Sequence, residues 1–166
     1  ALLYAYNARL KALALVGNAV VGLVVATALF FGALSVGQAG PVVPAMVFAF
    51  LTTVAREIVK DVEDLEGDKL HNRSSFAIRS GPLAAGRLSA ILVLITVGLT
   101  PAPYLLYRYA GDYLLLMMVA NGLLLTSAWS ALQSESPESA HRSSRLLKMA
   151  MVVGLGALAL SNARLY

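Results

Sequence analysis

Apolar positions along this chain occur in long uncharged runs, without the period-2 alternation of a half-buried strand. Five such runs stand out, at residues 12–36, 42–55, 88–107, 113–132 and 149–163, each near the roughly 20 residues that a helix needs to cross the hydrocarbon core of a bilayer. The second and last are short; the neighbouring runs argue for reading the second as a span too, and the last can draw on Leu146 and Leu147 for length. Leu and Ala dominate the runs, which favours helices over barrel strands. The pattern therefore predicts an all-α, polytopic transmembrane helix bundle with five spans. Gly37, Gln38, Ala39, Gly40 and Pro41 read as a turn after the first span, and the Ser-, Glu- and Pro-rich stretch 133–144 reads as a polar loop. There is no internal repeat.

Composition points the same way. Of 166 residues, 58% are hydrophobic and only 13% charged, against roughly 25% charged in a soluble globular chain. Cysteine is absent, which excludes disulfides and thiolate metal sites and leaves oxygen or histidine ligands for any metal. The net charge of +4 matters less than its distribution. If the five spans alternate in direction, one side collects Arg9, Lys11, Arg56, Lys60, Lys69, Arg73, Arg79, Arg87, Arg142, Arg145 and Lys148, while the other receives only Arg108 and Arg164. This bias puts the charged side in the cytoplasm of a multi-pass cell-membrane protein, and no nucleic-acid partner is expected. The chain opens at Ala1, without Met, and runs straight into apolar sequence, so it reads as a piece of something longer.

Six of the nine acids lie in residues 56–68, the run that follows the second span. At about 100° per residue, Glu57, Asp61, Asp64 and Asp68 fall within an arc of roughly 60° on a helix, and Glu63 and Glu66 point elsewhere. Four carboxylates on one face repel one another unless cations neutralise them, and an all-oxygen donor set suits Mg²⁺. The same run also fits a solvated helix end with ordinary salt bridges to Lys60 and Lys69. Nearby Arg56, Lys60 and Lys11 favour the first reading, because Mg²⁺ commonly bridges a few carboxylates to phosphate oxygens.

The segment Arg-Glu-Ile-Val-Lys-Asp-Val-Glu-Asp-Leu-Glu-Gly-Asp, residues 56–68, resembles the second aspartate-rich motif of the UbiA intramembrane prenyltransferases, most closely the archaeal members that make digeranylgeranylglyceryl phosphate. The stretch Tyr6, Asn7, Ala8, Arg9, Leu10, Lys11 resembles the Tyr-containing segment before helix five of that family, and Asn18 fits a polar position just inside that helix. The resemblance implies a nine-helix fold of which these are helices five to nine. Residues 1–166 would then be the carboxyl-terminal part of a single transmembrane domain, and the first four helices, with the first aspartate-rich motif, would be supplied elsewhere. Ser74, Ser75, Phe76, Ala77 and Ile78 stand where members often carry a Thr-Leu-Pro-like stretch.

The resemblance further implies Mg²⁺-dependent transfer of a prenyl group from an isoprenyl diphosphate donor to a lipid or aromatic acceptor, among membrane lipids. Asp61, Asp64 and Asp68 would hold the metal, and Arg56, Lys60, Lys11, Tyr6 and Asn18 would contact substrate. Geranylgeranylglyceryl phosphate is the expected acceptor, with a hydroxybenzoate or quinone precursor as the alternative. A cation transporter subunit and a non-catalytic scaffold are the competing classes, although transport sites usually place ionisable groups near the bilayer midplane. Elsewhere, Glu57 is expected to pair with Lys60. His71 and His141 lie in polar stretches without ligand-spaced partners. Tyr104, Tyr107, Tyr109 and Tyr113 read as an interfacial aromatic belt, and Asn18 and Asn121 are suited to hydrogen bonds between helices.

Overall fold

A computed structural model describes residues 15–35, 37, 42–71, 74–133 and 136–162. Among them are eight helices and no strands: α1 (Val16–Ser35), α2 (Val43–Glu63), α3 (Leu65–Leu70), α4 (Phe76–Ser80), α5 (Pro82–Leu99), α6 (Ala102–Tyr107), α7 (Gly111–Leu132) and α8 (Pro137–Asn162). Four segments are long and apolar enough to cross a membrane: Val16–Ser35, Pro82–Tyr107, Gly111–Leu132 and Pro137–Ser161. The fifth long helix, α2, is apolar in its first turns and charged from Arg56 onward, as the short second run anticipates.

Helix α2 packs against α1, α5 and α8, while α5 packs on α7 and α7 on α8. The helices α2, α5, α7 and α8 thus close a ring, with α1 laid against α2. Hydrogen bonds show which ends meet. Asn18 bonds Asp61 and His141 bonds Glu63, which joins the start of α1, the end of α2 and the start of α8. At the opposite end the Tyr113 hydroxyl donates to the Thr100 carbonyl and the Ala110 N–H to Ser161 Oγ. Successive long helices therefore alternate in direction, which gathers the charged segments at one end.

Three features differ from those the sequence predicts. The last helix starts at Pro137 instead of residue 149, so most of the expected 133–144 loop is helical. Pro137 sits at a first-turn position, where its missing N–H costs nothing, and Ser136 Oγ accepts from the Ser139 N–H in the manner of a cap. Ser143 and Ser144 of that stretch are buried: the Ser127 and Ser143 hydroxyls lie 3.0 Å apart, and Ser130 donates to the Ser139 carbonyl at 2.9 Å. The third span starts at Pro82, six residues early, and breaks at Thr100 and Pro101 before α6. Gly81, at φ +88°, makes the corner between α4 and α5, a backbone region in which glycine alone is unstrained. The tyrosines are the third difference. Tyr104 is exposed, but Tyr109 and Tyr113 are buried, with ring centroids 5.3 Å apart, so these two are packing residues and not belt residues.

Small and polar residues make up much of the buried faces, and many large aliphatic ones point out. In α1 the buried positions are Gly17, Asn18, Gly22 and Ala26, whereas Leu23, Val24 and Phe31 are exposed. Lipid is as apolar as leucine, so helices in a bilayer gain from close backbone approach more than from hiding aliphatic surface. Gly22 shows how close that approach is: a Cβ there would lie 2.7 Å from Val54 Cγ2 and 3.1 Å from the Phe50 carbonyl oxygen. Gly22→Ala should therefore separate α1 from α2 and cost about 1–3 kcal/mol, read as a lower unfolding temperature in detergent. Gly32→Ala, where nothing lies within 4 Å, should instead be neutral or raise stability by up to about 1 kcal/mol.

Candidate active site

The second half of α2 sorts its residues by face. Ile58, Val59 and Val62 are buried at 1%, 0% and 3% exposure against the bundle, which leaves Glu57, Lys60, Asp61 and Asp64 for the remaining circumference. The helix barely stops at its carboxyl end. Asp64 departs from helical geometry, yet its N–H bonds the Lys60 carbonyl at 2.9 Å and its own carbonyl accepts from the Asp68 N–H at 2.9 Å. The helical path continues into α3, and the spacing of Asp61, Asp64 and Asp68 survives the junction.

Asp61 lies at the centre of this face, beyond the apolar part of α2. Its Oδ2 accepts from Asn18 Nδ2 at 2.9 Å, a contact between α1 and α2 across 43 residues of chain. Burial pushes the Asp61 carboxyl up from its ordinary value to about 6; the Asn18 hydrogen bond opposes the rise, and the charges of Asp68, Glu57 and Asp64 add to it. Asp61 thus lies in the field of the other three carboxylates that helical spacing puts on its face.

The basic residues are disposed less simply. Arg56 Nη1 lies 2.8 Å from Glu57 Oε1, so Glu57 pairs with its neighbour and not with Lys60. Spacing of i, i+3 favoured Lys60, but Lys60 is exposed whereas Arg56 is half-buried beside Glu57. The Arg56 Nε is buried and has no hydrogen-bond partner among the described residues. Tyr6 and Lys11 lie outside the described residues.

An open cleft runs along the junction of α2 and α3, lined by Glu63, Asp64, Gly67, Asp68 and His71. Glu63 therefore borders the cleft, although the wheel directs it elsewhere, and its carboxylate is held by His141 Nδ1 at 2.7 Å. That pairing went unseen in the sequence because 78 residues separate the partners. His71 Nδ1 lies 2.8 Å from the Gly67 carbonyl and serves the turn. Among the described residues, no three His, Asp or Glu side chains are close enough to hold a metal ion by themselves. Oxygen donors on a water-accessible cleft nevertheless fit Mg²⁺, which keeps several waters and takes one or two carboxylates together with phosphate oxygens. Inside the ring lies a second, apolar cavity of about 80 Å³, bordered by Phe48, Thr52, Met117, Leu124, Ala150 and Leu158.

Comparison with known families bears on what this arrangement is. The model of the UbiA prenyltransferase family matches residues 1–153. The chain belongs to the UbiA prenyltransferase family. Among its UbiA relatives, the digeranylgeranylglyceryl phosphate synthase of Methanosphaera stadtmanae is 33% identical over 159 residues, covering 96% of this chain and 58% of the relative. The synthase of the same name from Korarchaeum cryptofilum is 37% identical over 155 residues, with coverage of 92% and 55%. A solved structure described as "Structural and mechanistic insights into the biosynthesis of Digeranylgeranylglyceryl phosphate synthase in membranes" superposes with a TM-score of 0.88 at 31% identity, over 96% of this chain and 57% of that one. This UbiA chain thus spans somewhat more than half the length of the relatives it matches, and it is a multi-pass membrane protein.

The raised Asp61 value fixes the sign of a pH effect. The folded protein holds this proton more tightly than the unfolded chain, so the associated stabilisation is complete below the ordinary value of 3.8 and disappears as pH rises through about 6. In metal-free protein, the wild type should lose thermal stability across that window, while Asp61→Asn should stay flat. Asn18→Leu should move the Asp61 transition upward and Asp68→Asn should move it downward, as read by carboxyl ¹³C NMR.

Proposed function

We propose that this chain carries the second acidic motif of an intramembrane prenyltransferase, which transfers a prenyl group from an isoprenyl diphosphate to geranylgeranylglyceryl phosphate in archaeal ether-lipid synthesis. The observation that carries the reading is the four-carboxylate face at the charged end of α2, with Asp61 tied to Asn18, in a chain whose relatives are named for that synthesis. The charged end faces the cytoplasm in this reading. The complete catalytic unit adds four helices and a partner acidic motif to the five long helices here.

The demanding event is cleavage of the allylic carbon–oxygen bond, which leaves negative charge on the departing diphosphate and positive charge along the allyl unit. Asp61, Asp64 and Asp68 would hold Mg²⁺, which when bound would supply electrostatic stabilisation of the departing diphosphate. Asp61 would have to be ionised to serve as a ligand. Arg56, Lys60 and Lys11 contact the diphosphate, while Tyr6 and Asn18 line the substrate side. Asn18 acts there through Asp61, fixing the orientation of its carboxylate. Apolar side chains of the bundle exclude water from the allylic cation. The acceptor hydroxyl then forms the new ether bond to the allylic carbon and loses its proton. A transporter reading fits less well, because the carboxylates cluster at a helix end and not at mid-span.

In membranes containing the full-length protein, Asp64→Ala and Asp68→Ala should each lower Mg²⁺-dependent transfer by about 10²-fold or more, the scale on which losing electrostatic stabilisation of a developing charge is felt. Glu66→Ala, on another face and exposed, should stay within a few-fold of wild type. Equal losses from all three would defeat the shared-face assignment.

With labelled geranylgeranyl diphosphate and two competing acceptors, geranylgeranylglyceryl phosphate and hydroxybenzoate, the expected product is an ether on the glycerol hydroxyl that requires Asp68. A carbon-prenylated aromatic product would overturn the acceptor, and no product from either would overturn the enzyme. The active species should also exceed 17.5 kDa, the mass of this chain, when measured by native mass spectrometry.

A further inference from the structure

The first turns of α8 are held firmly against α7 by the hydroxyl contacts of Ser143 with Ser127 and by the bond from Ser130 to the Ser139 carbonyl. His141 lies between those two serines and reaches across to α2, where its Nδ1 donates to Glu63 Oε1 at 2.7 Å. Glu63 directly precedes Asp64 and lines the same cleft as Asp64 and Asp68. The side chains of the pair are 56% and 28% exposed, and so exposed a contact adds little to global stability. Its consequence is geometric. A carboxylate that borders the cleft is held by an imidazole mounted on a rigid neighbouring helix.

We propose that His141 is a positioning residue for the acidic cleft: by engaging Glu63 it ties the end of α2 to α8 and keeps the Glu63 carboxylate out of the coordination space of Asp64 and Asp68. Without His141, Glu63 turns into the cleft and acts as an additional metal ligand, occupying a position that a diphosphate oxygen takes during transfer. This inference rests on the metal-dependent reading above for its link to turnover, but its central claim concerns metal binding and is measurable without turnover.

The test uses purified full-length protein and Mn²⁺ as the probe. Binding is followed by electron paramagnetic resonance without substrate, and the KM for geranylgeranyl diphosphate is measured separately. His141→Ala should bind Mn²⁺ about three- to tenfold more tightly, as an added carboxylate ligand does, and should show a raised KM for the diphosphate with an unchanged unfolding midpoint. His141→Asn, whose amide can donate from nearly the same place as Nδ1, should restore wild-type Mn²⁺ affinity. Glu63→Gln should abolish the effect, so that the double variant Glu63→Gln/His141→Ala matches Glu63→Gln alone. Unchanged or weaker Mn²⁺ binding by His141→Ala overturns the proposal, as does an effect of His141→Ala that persists in the Glu63→Gln background. If Mn²⁺ responds as expected while the wild type transfers no prenyl group, the positioning role stands and the enzyme assignment falls.

Discussion

Helices surrounded by lipid gain little hydrophobic driving force from pressing aliphatic side chains together, since the lipid offers the same environment, and this condition shapes much of the molecule. They associate where small residues let backbones approach and where hydroxyl or amide groups bridge. Gly22 lets α1 come close to α2 at Phe50 and Val54. The Ser89 hydroxyl donates to the Ala55 carbonyl, which ties α5 to the middle of α2. Serines 127, 130, 139 and 143 do the same for α7 and α8. Leu23, Ile91, Leu94, Leu115 and Val152 are left on the exterior, where a soluble fold would carry its charges.

The acidic site follows from that packing. Helix α2 is gripped by α1, α5 and α8 through its apolar length, so its charged continuation emerges in a fixed orientation. The close fit at Gly22 sets the height of α1, and one turn earlier Asn18 then meets Asp61. A hydrogen bond to a carboxylate that burial and three neighbouring charges otherwise push toward protonation partly restores its charged form. The same end of the bundle brings His141 to Glu63, so two of the acidic residues on α2 are held by side chains from two different helices. Tight packing within the bilayer and placement of carboxylates at its rim are thereby one structural problem with one solution.

Much of this was legible in the order of residues. Runs of uncharged apolar sequence announce long helices because a chain in hydrocarbon must satisfy its own backbone, and a helix does so locally. The spacing of Glu57, Asp61, Asp64 and Asp68 announces a common face for the same reason, since helical periodicity is a local property and the path through Asp64 preserves it. Helix limits were less legible. Ser136 and Pro137 signal a helix start as readily as a loop, and what favours the helix is the reception of Ser139 and Ser143 by serines on α7. Tyr113 reads as an interfacial residue until the elbow at Pro101 presents the Thr100 carbonyl to its hydroxyl.

By itself, then, the sequence determined the helical class, the number of long helices, the alternation that collects charge at one end and the carboxylate face. Each of these depends on neighbours within a turn or two, or on hydrophobicity summed over a span. Only the tertiary structure decided particular partners of the acids, such as Asn18 for Asp61, Arg56 for Glu57 and His141 for Glu63. Two of these contacts join residues 43 and 78 positions apart, and no local pattern encodes them. They exist because small residues allow α1, α2, α7 and α8 to pack at one height, and a change in that height would give the same carboxylates other partners.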